Sequence, residues 1–332
     1  MDKSFSNVLI SRTDSIGDVI LTLPMCAALK EKFPNIKIGF LGKAYTKPII
    51  ETCEYIDTFI DINDFLRSDV TINGEKPQVI IHVLPKPEIA KKAARLKIPL
   101  RIGTRNRLYH WLWCNKLVKL SRKKSDLHEA QLNITLLRPL GITKQYTLPE
   151  IGDMYGLARL NSLSEKFISL INRDKYNLIL HPKSQGSARE WPILSYIELI
   201  RILDKSKFNV FISGVEKDRA ALHELFSAVG DDVNDIVGKM ELREFMAFIN
   251  QCNGLLACST GPLHIAAALG KDALGLYSPV RPVHPGRWAP LGGNAKVFVE
   301  KDPCGKCKDA EGCTCVAKIT PIAIKEYLLL LL

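Results

Sequence analysis

Asp18 stands at the end of a glycine-bearing turn, Arg12-Thr13-Asp14-Ser15-Ile16-Gly17-Asp18, just after the apolar run Val8-Leu9-Ile10. A carboxylate at a helix start often does no more than complement the helix dipole. Beyond the carboxyl end of a strand, where open α/β sheets bind ligands, it has a second use. There it acts as a general base, taking the proton of a hydroxyl whose oxygen attacks an activated carbon. A second constellation, Cys258-Ser259-Thr260-Gly261-Pro262-Leu263-His264, follows the apolar Leu255-Leu256-Ala257 and leads into Ile265-Ala266-Ala267-Ala268-Leu269-Gly270. It reads as strand, polar turn and helix, with Ser259 or Thr260 at the N-cap, Pro262 in the first turn and Gly270 as the stop. The unpaired N–H groups and positive dipole end of such a helix start form a seat for an anion, above all a phosphate. An ordinary strand–helix corner has the same pattern, so the surrounding elements must decide between the two.

Those elements alternate. In the N-terminal half, strands at residues 8–11, 36–41 and 79–83 are separated by helical stretches, and Pro24 kinks or restarts the first helix. His128-Glu129-Ala130-Gln131 opens a helix that ends before Pro139-Leu140-Gly141, and polar residues 143–156 link the halves. The C-terminal half restarts the pattern. Strand 178–181 leads to the loop Pro182-Lys183-Ser184-Gln185-Gly186-Ser187-Ala188-Arg189-Glu190-Trp191-Pro192. A helix, strand 209–213, the turn Gly214-Val215-Glu216-Lys217-Asp218 and strand 273–277 follow. This is the signature of parallel α/β sheets. The predicted architecture is two Rossmann-like domains, residues 1–155 and 156–332, facing each other across a cleft, with the C-terminal helix free to pack back on the first. Neither glycine loop has the spacing GxGxxG, so a dinucleotide fingerprint is absent.

A chain of 332 residues with 46% hydrophobic and 24% charged content is globular and long enough for two cores. Its formal net charge of +11 predicts an anionic partner. The cations concentrate in residues 86–124, interleaved with Tyr109, Trp111 and Trp113, which reads as an anion-binding surface rather than a merely solvated face. No helix-turn-helix, zinc-finger or RNP-type sequence accompanies it, so nucleic acid is not expected. No leader peptide is legible, and no apolar run reaches the ~20 residues of a membrane span. Of nine cysteines, Cys304, Cys307, Cys313 and Cys315 cluster, with a CxxC half and a CxC half. Two readings stand for them: a structural zinc site, or free and redox-labile thiols.

Four separated motifs, in order over almost the whole chain, carry a resemblance. They are Ser15-Ile16-Gly17-Asp18 with Pro24, then His128-Glu129-Ala130-Gln131 before a leucine-rich helix, then the loop ending Arg189-Glu190-Trp191-Pro192, and Ser259 to Gly270. Together they resemble the family 9 glycosyltransferases, the heptosyltransferase group of lipopolysaccharide core synthesis. The resemblance implies a GT-B fold, with acceptor on the N-terminal domain and nucleotide sugar on the C-terminal one. It implies inverting transfer from an NDP-sugar, ADP-heptose first, to a lipopolysaccharide or related glycolipid at the inner face of the inner membrane. No cofactor is expected, and cationic side chains with a helix start must stabilise the leaving diphosphate. By position Asp18 is similar to the family's general base, and Ser184 and Arg189 to its donor-phosphate contacts. Thr260 and Gly261 would offer N–H groups to the diphosphate, His264 faces either the site or the core, and Glu216 either meets the ribose hydroxyls or is a solvated loop acid. Two positions depart from the pattern. Ser259 replaces an Asp expected to engage the donor sugar, and Arg189 replaces a Lys. The rival expectations are a GT-B enzyme with another NDP-sugar donor and a non-catalytic polyanion-binding protein.

Overall fold

Val8, Leu9 and Ile10 are fully buried, as is required of a strand covered on both faces by helices. They form the centre of β1 (Asn7–Ser11) in a parallel sheet whose order is β3-β2-β1-β4-β5-β6. Its other strands are β2 (Lys37–Gly42), β3 (Thr58–Asp61), β4 (Val79–His82), β5 (Leu100–Thr104) and β6 (Lys116–Val118). The second sheet contains β7 (Tyr176–His181), β8 (Phe208–Ile212), β9 (Asn234–Asp235), β10 (Gly254–Cys258), β11 (Asp272–Tyr277) and β12 (Ala295–Val299), in the order β12-β11-β10-β7-β8-β9. Counted from its own first strand, the second sheet repeats the order of the first, which is the doubly wound Rossmann arrangement. The structure, a computed structural model, describes residues 5–302, 304–306 and 313–332.

The chain divides into Met1–Arg159 and Leu160–Leu332. The polar link expected to leave at residue 155 stays with the first unit for four residues more. Cys53 and Leu157 form a β-bridge, the Arg159 N–H donates to the Thr52 carbonyl at 3.0 Å, and its guanidinium donates to the Ile56 and Glu54 carbonyls.

In each unit the switch point lies between the first and fourth strands. Ser11 pairs with His82 across β1 and β4, and His181 with Ala257 across β7 and β10. Loops leaving the carboxyl ends of these four strands are where a doubly wound sheet holds its ligand. In the first unit β1 runs into the helix Ile16–Ile20, and the helix Pro24–Lys32 restarts with Pro24 in its first turn, where a missing N–H costs nothing.

One expectation is corrected. The basic stretch is not one surface: it holds the helix Pro87–Arg95, β5, the helix Leu108–Trp113 and β6. Arg101 turns inward to the Trp113 carbonyl at 2.7 Å, and Arg122 to Glu129 and Asn133. Asp235 lies in the edge strand β9 and pairs with Arg219 at 2.9 Å. The closing helix Pro321–Leu329 belongs to the second unit: its Ile324 and Leu328 are wholly buried in the core that contains Trp191 and Tyr196. The Trp191 indole N–H fixes that arrangement by donating to the Ile319 carbonyl at 2.9 Å.

Candidate active site

Past β1 in the first unit, the turn carries its charges in an order that the helix after it makes use of. Arg12 is buried and serves three carboxylates. Its Nε donates to Asp14 Oδ1 at 2.6 Å, its Nη1 to Glu129 Oε1 at 3.1 Å and its Nη2 to Asp18 Oδ1. Burial opposes the guanidinium charge, but Asp18, Asp14 and Glu129 outweigh it and hold Arg12 above its ordinary value. Asp18 sits in the first turn of Ile16–Ile20, and its Oδ2 accepts from the Ser15 hydroxyl. Ser15 occupies the N-cap position but spends its side chain on this carboxylate, not on a cap. Asp18 keeps 17% of its side-chain surface exposed. A carboxylate has about four acceptor positions, so Arg12 and Ser15 leave room for a hydroxyl proton. Burial raises the Asp14 carboxyl above its usual range, Arg12 opposes this, and Asp18 adds to it.

Glu129 and Arg12 were not singled out from the sequence. Glu129 opens the helix Glu129–Thr135, and its side chain is only 1% exposed. One oxygen, Oε1, accepts from both Arg12 and Arg122, the latter at 2.8 Å. Arg122 also donates to the Val83 carbonyl past β4 and to Asn133, whose amide donates to the Leu21 carbonyl. The carboxylate turn is thus braced from the far side of its own unit. A sequence signal existed: an arginine two residues past the apolar run Val8-Leu9-Ile10 must find a buried partner.

The second unit brings together the loops after β7 and β10, where the Ser187 hydroxyl donates to the Ser259 carbonyl at 3.4 Å. Thr260 is the N-cap of the helix Gly261–Ala268, as expected, but its side chain makes no cap bond. Its hydroxyl is buried and without a partner. Gly261 and Leu263 occupy the first turn, where helix geometry leaves the N–H groups unpaired, and Pro262 has none to leave. On the facing loop Arg189 Nε is also buried without a partner. Two such orphans on adjoining loops suit an anionic ligand with several acceptor oxygens.

Ser184 differs from the expectation. Its N–H and hydroxyl reach Glu190 Oε1 at 2.7 and 2.9 Å, so both donors are engaged within the loop. Burial works against the Glu190 charge, but Lys183 and Ser184 hold it below the ordinary carboxylate range. Glu216 lies past β8, exposed, and pairs with Arg219 at 2.8 Å. His264 is buried in the helix, one turn past Thr260. The Ser259 side chain hydrogen-bonds Tyr277. Cys304, Cys313 and Cys315 lie near one another; Cys307 falls outside the described residues.

Two Rossmann-type sheets in one chain, one with a braced carboxylate and the other with a phosphate-suited helix start, define the group-transfer class built on the GT-B fold. The model of glycosyltransferase family 9 (heptosyltransferase) matches residues 90–315, and the chain belongs to that family. It is 29% identical over 307 residues to lipopolysaccharide heptosyltransferase 2 of Escherichia coli, covering 83% of each chain. Among solved structures it is similar to a family 9 glycosyl transferase from Veillonella parvula, with a TM-score of 0.82, 20% identity and coverage of 100% of this chain and 99% of that one. The E. coli heptosyltransferase WaaC with ADP-2-deoxy-2-fluoro heptose gives a TM-score of 0.70 at 17% identity, covering 98% of this chain and all of that one. These likenesses carry the fold. No helix among the described residues is long and apolar enough to cross a membrane.

Proposed function

We propose that this glycosyltransferase moves a heptose from ADP-heptose to the core of a lipopolysaccharide or related glycolipid, inverting the anomeric centre. The observation that carries the reading is the pair of orphaned donors, Thr260 Oγ1 and Arg189 Nε, at the switch point of the second unit. The relatives support the donor and acceptor class: one is named a lipopolysaccharide heptosyltransferase, and a similar structure was solved with a fluorinated ADP-heptose. In this reading Asp18 takes the proton from the acceptor hydroxyl, and that oxygen attacks the anomeric carbon opposite the departing diphosphate. Arg189, the Thr260 hydroxyl and the Gly261 N–H receive the charge on the diphosphate, with no metal ion at the donor. Glu216 follows the second strand of its unit, where Rossmann folds often place a carboxylate on the ribose hydroxyls. Chelator-treated protein should therefore keep its turnover, and product stereochemistry read by NMR should be inverted. Retention, or turnover that added magnesium or manganese restores and zinc does not, would refute that part.

Thr260→Val removes one hydroxyl with little change in shape. Because that hydroxyl caps nothing, stability should hold. A lost hydrogen bond to a charged ligand costs about 1.5–3 kcal/mol, so calorimetry with ADP should give at least ~10-fold weaker binding. Unchanged affinity would remove Thr260 from the site. Titrating ADP-heptose beside other NDP-sugars tests the sugar, for which Ser259 is the departure to watch.

Acceptor access supports a peripheral contact with an anionic membrane. In the helix Leu108–Trp113, Leu108, Trp111 and Leu112 are 88%, 59% and 77% exposed, beside the exposed Arg105, Arg107 and Lys116. Apolar side chains rimmed by cations suit lipid headgroups. Flotation with phosphatidylglycerol vesicles should recover the protein at low salt and lose it at high salt. Leu108→Asp with Leu112→Asp should abolish recovery, and a double variant that floats like wild type would assign the contact elsewhere.

A further inference from the structure

The sulfur atoms of Cys304, Cys313 and Cys315 all lie within 4.8 Å of one another. Three thiolates on a tetrahedral ion at ~2.3 Å stand about 3.8 Å apart, so closure onto a metal asks for a shift of about an ångström or less. Cys315 is fully buried, while Cys304 and Cys313 keep partial access to solvent. The Cys304 backbone N–H points at Cys315 Sγ from 3.3 Å, and the Ser278 hydroxyl lies 3.8 Å from Cys313 Sγ. Metal-ligating side chains are held in this way by an outer shell of hydrogen bonds. The other described cysteines, Cys26, Cys53, Cys114, Cys252 and Cys258, are buried, and none belongs to a cluster of metal-ligating side chains among the described residues.

We propose that Cys304, Cys313 and Cys315 bind one thiophilic divalent transition metal ion, zinc by the chemistry of the donor set. An all-sulfur set selects such ions over magnesium or calcium, whose preferred ligands are oxygens. The site joins chain after β12 to Ser278, the first residue beyond β11, and to the 3₁₀ turn Val316–Lys318 that precedes the closing helix. Its role is therefore structural: it pins the segment leaving the sheet at the end where the donor loops lie. It stands apart from the transfer chemistry and is independent of the donor reading.

Elemental analysis of the full chain, purified without chelator, should give about one zinc per chain. Cobalt titrated into metal-stripped protein should raise a sulfur-to-metal charge-transfer band, reduced in Cys313→Ser and Cys304→Ser and kept in Cys114→Ser. Because a serine variant can fail to fold, the wild-type chain carries a second test. After stripping, iodoacetamide should label Cys304 and Cys313, which keep partial access to solvent, and prior zinc should protect both, as mapped by peptide mass spectrometry. A folded wild-type chain with neither metal nor charge-transfer band, or labelling that zinc leaves unchanged, would overturn the proposal.

Discussion

Asp18→Asn is expected to lower turnover by ~10²–10⁴-fold, the usual contribution of a positioned general base. The amide keeps the size of the carboxylate and still accepts from Ser15, so the turn has no steric reason to move. Arg12 loses one of three carboxylates and retains Asp14 and Glu129, which keeps its charge compensated. What disappears is the acceptor for the hydroxyl proton. Affinity for ADP, whose proposed contacts lie on the other unit, should stay within about twofold by calorimetry. Rates of nucleoside diphosphate release, measured at saturating donor, separate the outcomes. A loss below about tenfold would make Asp18 a positioning residue, and Asp14, whose carboxyl burial raises, the next base to test. A chain that only binds polyanions would show no turnover in either form.

Sequence made the strands under full cover legible, because β1, β7 and β10 are centred on the apolar runs Val8-Leu9-Ile10, Leu178-Ile179-Leu180 and Leu255-Leu256-Ala257, as a parallel sheet with helices on both faces requires. Strands towards the sheet edges were not legible for the converse reason. β5 carries Arg101 and β6 begins with Lys116, so both disappear into a stretch dominated by charge. β9 is two residues long and leaves no periodicity to find. At the candidate site, local chemistry points to Asp18 and Thr260, a carboxylate in a glycine turn and a helix start, whereas Arg189 is pointed to by the family resemblance. Arg12 and Glu129 are separated by 117 positions, and no local pattern joins them. Ser184 shows a constraint that residue type does not reveal. It fits a phosphate contact by type, while Glu190, six residues later, takes both of its donors within the loop.

The brace behind Asp18 gives the second large effect. Glu129→Ala should destabilise the first unit by about 3–5 kcal/mol, the range for removing one partner of a buried ion pair. A single oxygen of Glu129 answers two guanidiniums, so its loss leaves both without that acceptor. Arg12, 4% exposed, cannot turn to water; Arg122, 25% exposed, partly can, which favours the lower end of the range. For a unit of this size the unfolding midpoint should fall by roughly 6–20 °C. Glu129→Gln keeps an acceptor oxygen but not the charge, and should fall between wild type and Ala. Activity should fall further than folding explains, because Arg12 also orients Asp18, and at a temperature where the variant is folded kcat should drop while ADP affinity holds. Thermal unfolding followed by circular dichroism, beside kinetics at low temperature, reads both effects. A destabilisation under 1 kcal/mol would mean that water screens the pair, and Asp14 would then suffice to hold Arg12 against Asp18.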